Sequence, residues 1–107
     1  MSDAVRRLYD AVLDRRGKDP ATSKTAKLFA AGRSKMAQKV GEEAIEVAID
    51  AAKDNRGAVV AESADLIYHL VVLWAEMGIK PTDIWAEMMR REKSFRIAEK
   101  LPKTAAA

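Results

Sequence analysis

The segment from Ala58 to Met77 constrains the fold most, because it is apolar at almost every position around a helical circumference. Its large apolar residues are Val59, Val60, Leu66, Ile67, Leu70, Val71, Val72, Leu73, Trp74 and Met77. A helix that is apolar nearly all round is normally buried among other elements. We therefore predict that this helix is central and that the rest of the chain packs around it.

The rest of the chain also has apolar residues at helical spacing, and no segment has a convincing strand pattern. The predicted helices run from Ala4 to about Arg16, over a short stretch capped by Ser23, from about Ser34 to Asp54, from Ala58 to Met77, and onward from Pro81. The two longest are joined by a short turn around Asn55-Arg56-Gly57, so we expect them to be antiparallel neighbours.

These elements predict an all-α fold, an antiparallel bundle of four to five helices in one domain spanning residues 1–107. The tail from about residue 101 is expected to be disordered. Three short neighbours cannot cover the apolar circumference of the central helix. We therefore expect a second copy of the chain to complete the bundle as a homodimer.

Composition removes several classes of function. The chain contains no cysteine, which excludes disulfides and thiolate metal ligands. We find no apolar signal-type core at the start and expect no stretch to be long enough to span a membrane, so a cytoplasmic location is expected. The net charge of +3 divides into +6 for residues 1–41, −6 for residues 42–79 and +3 for residues 80–107. A nucleic-acid-binding module would not normally carry such an acidic centre, so we expect neither nucleic acid nor membrane as a partner.

Acidic residues form a stripe on the second long helix. Glu42, Glu43, Glu46 and Asp50 fall within an arc of roughly 100°, and Lys35 and Lys39 lie on the same stripe. Taken alone, this stripe is typical of a solvated polar face. Arg33 and Lys35, which come close before the carboxylates, are candidates for binding phosphate.

The central helix changes that interpretation, because its few polar residues, Glu62, Asp65, His69 and Glu76, share one narrow stripe among apolar neighbours. No Lys or Arg lies between Arg56 and Lys80 to pair with them. Buried carboxylates need a compensating charge. It would come either from Lys or Arg on a neighbouring helix or from a metal ion, and we favour the metal. The lone His69 is expected to be a hydrogen-bonding partner.

The spacing of the carboxylates predicts how a metal would be held. Glu43 with Glu46, and Glu62 with Asp65, are i, i+3 pairs that project from one face of their helices. Facing each other, the two pairs form a four-carboxylate box. Hard oxygen ligands select Mg²⁺ or Mn²⁺, and Mg²⁺ usually completes its shell with substrate phosphates. The expected chemistry is attack of an activated water on phosphorus.

These residues also match a known signature. Glu42-Glu43-Ala44-Ile45-Glu46, then fifteen residues, then Glu62-Ser63-Ala64-Asp65 resembles the EExxE…ExxD motif of the all-α nucleoside triphosphate pyrophosphohydrolases, the MazG-like superfamily. Within that superfamily the chain is similar to the phosphoribosyl-ATP pyrophosphohydrolases, which catalyse the second step of histidine biosynthesis. The narrower similarity rests on residues 39–47 and 65–70 and on Ser23-x-Thr25 followed by Gly32.

The resemblance implies hydrolysis of 1-(5-phosphoribosyl)-ATP to 1-(5-phosphoribosyl)-AMP and pyrophosphate by a dimeric enzyme. By motif position it implies Mg²⁺ ligation by Glu43, Glu46, Glu62 and Asp65. Glu42 would be a further ligand or would orient the attacking water, and Lys39 would contact phosphate. Two other functions remain open at this stage: a general nucleotide pyrophosphohydrolase, and a non-catalytic helical dimer that serves as a scaffold or binds nucleic acid.

Overall fold

The structure is a computed structural model that describes the backbone of residues 3–100 and the side chains of residues 3–94. Its five helices are α1 (Asp3–Arg15), α2 (Lys24–Ala31), α3 (Arg33–Ala52), α4 (Arg56–Met77) and α5 (Pro81–Lys100). No strand occurs in this part of the chain, which confirms the predicted all-α class. The predicted disorder of the tail lies outside the described residues.

Local capping signals determine where the helices begin and end. The Ser23 hydroxyl accepts a hydrogen bond from the Ala26 N–H at 3.1 Å and starts α2, as predicted. Gly78 ends α4 in the left-handed conformation (φ 71°), where a side chain would be strained. The turn between α3 and α4 lies earlier in the sequence than predicted. The Asn55 side chain accepts a hydrogen bond from the Ala58 N–H and caps α4, so this helix begins at Arg56.

The core lies around the C-terminal half of α4. Val71, Val72 and Ala75 are almost fully buried there against Tyr9 and Val12 of α1. Leu28 of α2 and Met36 of α3 complete this core. The helices α3 and α4 pack side by side along an antiparallel hairpin, the pairing that the short turn between them predicts.

The N-terminal half of α4 differs from the prediction that this helix is buried throughout. Val60 is 71% exposed and Ile67 is 43% exposed. The reason is that α1 packs against the C-terminal half of α4, so that α3 is the main cover for the earlier turns. A large apolar surface is therefore left open on the side of α4 that carries Val60 and Ile67.

The expectation that no stretch is long enough to span a membrane also needs correction. By length and composition alone, Arg56–Met77 is a helix of 22 residues that could do so. Core helices have the same length and composition, and α4 packs against α1, α2 and α3. These contacts identify α4 as the central helix of the bundle.

Candidate active site

Three carboxylates from α3 and α4 meet at the middle of the hairpin. One carboxylate oxygen from each of Glu43, Glu62 and Asp65 lies within 4.8 Å of the other two. Glu62 and Asp65 are one helical turn apart on α4, and the antiparallel packing of α3 brings Glu43 opposite them. We call these three residues the carboxylate cluster. Oxygens at this spacing can hold one small divalent cation.

The fourth predicted ligand, Glu46, lies beside the cluster rather than within it. It follows Glu43 by three residues on α3, and its carboxyl hydrogen-bonds that of Glu62. The structure thus brings together three of the four carboxylates predicted to form a box and places the fourth against one of them. A cation binding at the cluster could recruit Glu46 by a change of side-chain rotamer, since Glu46 is exposed.

Electrostatic repulsion within this group is strong. The hydrogen bond with Glu46, partial burial, and the charges of Glu46, Glu43 and Asp65 raise the pKa of Glu62 to about 7. Burial, and then the charges of Glu46 and Asp65, likewise raise the pKa of Glu43. A shared proton or a cation between these carboxylates would relieve their repulsion.

The cluster is less deeply buried than the sequence predicted. Asp65 is exposed, and Glu43 and Glu62 are only partly buried. This follows from the open N-terminal half of α4, where the cluster lies. Burial is nevertheless the largest cause of the raised pKa of Glu43, and for Glu62 it comes second to the hydrogen bond with Glu46. The need for a compensating charge therefore comes from partial desolvation together with mutual repulsion.

Glu42 has basic and polar neighbours instead of acidic ones. Gln38 donates a hydrogen bond to its carboxylate at 2.8 Å, and Lys39 Nζ lies 3.6 Å from the other oxygen. The Gln38 hydrogen bond lowers the pKa of Glu42, and the charges of Lys39 and Lys35 act in the same direction. Glu42 lies outside the carboxylate cluster and next to two of the predicted phosphate-binding lysines.

The third predicted phosphate-binding residue, Arg33, lies at the start of α3, about 15 Å along the helix from Glu43. Its guanidinium is 3.7 Å from the carboxylate of Glu76, near the C-terminal end of α4. Glu76 belongs to the acidic stripe predicted on α4, and it thus has a basic partner from a neighbouring helix. The carboxylates of the cluster have none among the ion pairs of the described residues.

One turn beyond Asp65, α4 contacts α2. The hydroxyls of Tyr68 and Thr25 are 2.5 Å apart, and Lys24 Nζ lies 6.0 Å from the centroid of the Tyr68 ring. His69 is 4% exposed, and its Nδ1 has no hydrogen-bond partner among the described residues. Sequence reasoning expected a hydrogen-bonded His69 and missed the Tyr68–Thr25 pair, although Ser23-x-Thr25 had marked that segment.

Known proteins resemble the chain over nearly its whole length. The model of a family described as phosphoribosyl-ATP pyrophosphohydrolase matches residues 5–92. The chain is 62% identical over 104 residues to a Rhodopseudomonas palustris protein named phosphoribosyl-ATP pyrophosphatase 2, covering 97% of this chain and 79% of that protein. A Bradyrhizobium diazoefficiens protein of the same name is 62% identical over 105 residues (98% and 78% covered). A Gluconobacter oxydans phosphoribosyl-ATP pyrophosphatase is 52% identical over 96 residues (90% and 72% covered).

Proposed function

Because this chain belongs to the phosphoribosyl-ATP pyrophosphohydrolase family, we propose that it hydrolyses phosphoribosyl-ATP to phosphoribosyl-AMP and pyrophosphate. The family match over residues 5–92 carries this proposal, since it includes both helices that bear the carboxylate cluster. The reaction would place the chain at the second step of histidine biosynthesis. The cytoplasm is the proposed compartment, in keeping with a chain that has no cysteine.

We further propose that Glu43, Glu62 and Asp65 hold a divalent cation, with Glu46 as a fourth ligand. The support is the donor set: carboxylate oxygens within 4.8 Å of one another, and no Lys or Arg paired with them among the described residues. Such hard donors suit Mg²⁺, and Mn²⁺ as a substitute. Mg²⁺ bound there would activate the attacking water and stabilise the charge of the departing pyrophosphate.

The residues next to the cluster would bind and orient the triphosphate. Lys39 and Lys35 carry positive charge along α3 towards the cluster, where it would offset phosphate charge. Gln38 and Lys39 lower the pKa of Glu42 further below its ordinary value of 4.5, so its carboxylate is negatively charged at neutral pH. It would act either as a further ligand or as the group that orients the attacking water. Arg33, farther along α3, would reach only the distal part of the substrate.

We propose a homodimer in which the second copy covers the open apolar surface of α3 and α4. Ile45 (61% exposed) and Ile49 (48%) lie one turn apart on α3, and Val60 and Ile67 lie two turns apart on α4. Exposed apolar patches of this kind mark protein interfaces. Both helices that carry the carboxylate cluster would then contribute to the subunit interface.

The dimer is tested by measuring the molar mass of Val60→Asp and Ile45→Asp by light scattering after size-exclusion chromatography. Met89→Asp is the control, because Met89 is similarly exposed but lies on α5. The first two variants should have the mass of a single chain, while the control should have the mass of a dimer. Dissociation by Met89→Asp alone would place the interface on α5 and contradict the proposal.

The substrate is tested by pyrophosphate release with Mg²⁺, comparing phosphoribosyl-ATP with ATP, dATP, dCTP and dUTP, each repeated in EDTA. We expect turnover of phosphoribosyl-ATP to exceed that of the simple nucleotides and to disappear in EDTA. Preference for the simple nucleotides would instead indicate a general nucleotide pyrophosphohydrolase. Absence of all turnover would leave the carboxylates with a structural role in a scaffold.

A further inference from the structure

A groove of about 590 Å³ lies at the N-terminal end of α2, outside the residues assigned to catalysis so far. It is lined by Pro20, Ala21, Thr22, Ser23, Lys24 and Lys27. Two local hydrogen bonds order this part of the backbone: Asp19 accepts one from Ala21 N–H at 2.9 Å, and the Ser23 hydroxyl accepts one from Ala26 N–H. The groove is thus an open surface formed by the loop before α2 and the first turn of that helix.

The groove is positively charged. Lys24 and Lys27 both line it, both are exposed, and neither has an ion pair among the described residues. The nearest acid in sequence, Asp19, uses its carboxylate to accept the Ala21 N–H and is not part of the lining. Two unpaired ammonium groups in one concave surface favour an anion as the ligand.

Contacts between α2 and α4 place this groove next to the carboxylate cluster. Lys24 Nζ lies 6.0 Å from the Tyr68 ring, and the Tyr68 hydroxyl is hydrogen-bonded to Thr25. Tyr68 follows Asp65 by three residues on α4, a spacing at which Cβ atoms are about 5–6 Å apart. Lys24 is thus on the order of 10 Å from the cluster. The charges of Lys24 and of Lys39 on α3 also reach the same buried His69, and both lower its pKa after the larger effect of burial.

We propose that Lys24 and Lys27 bind the phosphate monoester on the second ribose of the substrate, while the triphosphate lies at the carboxylate cluster. The inference rests on the proposed function. Phosphoribosyl-ATP carries phosphate at both ends, and ATP lacks the second, so a site for the monoester discriminates between them. A phosphate monoester carries roughly −1.5 to −2 charges at neutral pH, which suits two lysines. The groove is then the specificity-determining part of the site.

Calorimetric binding of phosphoribosyl-AMP and AMP to the full chain in Mg²⁺ tests this proposal. Phosphoribosyl-AMP retains the monoester and AMP lacks it. The variants are Lys24→Met and Lys27→Met, which remove charge and keep an unbranched side chain. Lys80→Met is the matched control, because Lys80 is an exposed lysine that follows the C-terminal end of α4. The unmodified chain should bind phosphoribosyl-AMP more tightly than AMP. Each groove variant should lose on the order of tenfold in affinity for phosphoribosyl-AMP only.

Three results would overturn the proposal: equal affinity of the unmodified chain for the two nucleotides, unchanged affinity in both groove variants, or an equal loss for AMP. An equal loss of affinity for AMP would mean that the two lysines contact the nucleotide end of the ligand. Binding needs no turnover, so it separates the two claims. A chain that prefers phosphoribosyl-AMP but does not hydrolyse phosphoribosyl-ATP would refute the proposed reaction and retain the groove. If the chain hydrolyses phosphoribosyl-ATP but the groove variants bind phosphoribosyl-AMP with unchanged affinity, the proposed reaction is retained and the role of the groove is refuted.

Discussion

Two glutamates of the same bundle, Glu62 on α4 and Glu87 on α5, have opposite electrostatic environments although both are partly exposed. The pKa of Glu62 is raised to about 7, first by its hydrogen bond with Glu46. The pKa of Glu87 is lowered to about 2, first by its hydrogen bond from Arg90 and then by that from Arg91. The two arginines reach Glu87 at 2.5–2.9 Å. The difference therefore comes from the neighbours and not from exposure.

The source of those neighbours explains the contrast. Glu87 obtains its partners from its own helix at i+3 and i+4, the spacing at which helical side chains meet. Glu62 faces α3, which presents Glu43 and Glu46. An acid with a basic partner in its own helix needs nothing further. The acids that meet between α3 and α4 have no such partner among the described residues, and in the proposed metal site a cation from solution would supply the positive charge.

The largest expected effect is on turnover. Glu46→Gln or Asp65→Asn should reduce pyrophosphate release from phosphoribosyl-ATP by more than about a hundredfold, since even residues behind metal ligands commonly cost about 10- to 100-fold. Circular dichroism should show the fold largely preserved in both. Glu87→Gln is the matched control and should leave turnover close to that of the unmodified chain, because it lies on α5 with its own arginines.

Full activity of Glu46→Gln and Asp65→Asn together with loss of activity in Glu87→Gln would reverse the comparison and place the functional acid on α5. Loss of helical structure in Glu46→Gln or Asp65→Asn would instead show that these carboxylates hold α3 against α4.

The next effect in size is stabilisation by Mg²⁺. A cation at 100 times its Kd stabilises the folded state by about 2.7 kcal/mol, and Glu62 makes this depend on pH. Its pKa in the folded, metal-free chain (about 7) is above the ordinary value of 4.5. The folded state therefore holds the extra proton between these values, and the metal-free chain loses stability as pH rises through that window. Mg²⁺ at the proposed site would replace this proton, so the increase in Tm should be larger at about pH 8 than at about pH 5.5.

Thermal unfolding with Mg²⁺ and with EDTA at the two pH values measures this. The pH dependence should disappear in Glu62→Gln and persist in Glu87→Gln. An equal Mg²⁺ effect at both pH values in the unmodified chain would exclude Glu62 from the ion's surroundings.

Local spacing explains which parts of this structure could be predicted from sequence. Ser23 as the cap of α2, Gly78 as the end of α4, and the i, i+3 pair of Glu62 and Asp65 all depend on residues within one or two helical turns. The short turn between the two long helices was enough to place Glu43 opposite that pair.

Contacts that join distant segments explain what could not be predicted. The periodicity of α4 is the same in both halves, so it could not indicate that α1 covers Val71 and Val72 and leaves Val60 open. The ion pair of Arg33 with Glu76 spans 43 residues, and no local pattern predicted it. The groove beside Lys24 could not be predicted for the same reason, because its position relative to α4 depends on how α2 packs in the folded chain.

The smallest expected effect is a change in Tm of the metal-free chain at about pH 8, with opposite signs for substitutions in the two glutamate environments. Glu46→Gln removes a negative charge that faces Glu62 and should raise the Tm, whereas Glu87→Gln removes the partner of Arg90 and Arg91 and should lower it. Each change should be roughly 1–3 °C for a domain of this size, and both should shrink in about 1 M salt, where the Debye length is about 3 Å. Differential scanning calorimetry in EDTA resolves such shifts. A lower Tm in both variants would mean that Glu46 stabilises the hairpin even without a cation. In that case the raised pKa of Glu62 would reflect a proton shared within a structural network, and the case for an external cation would depend on the Mg²⁺ measurements alone.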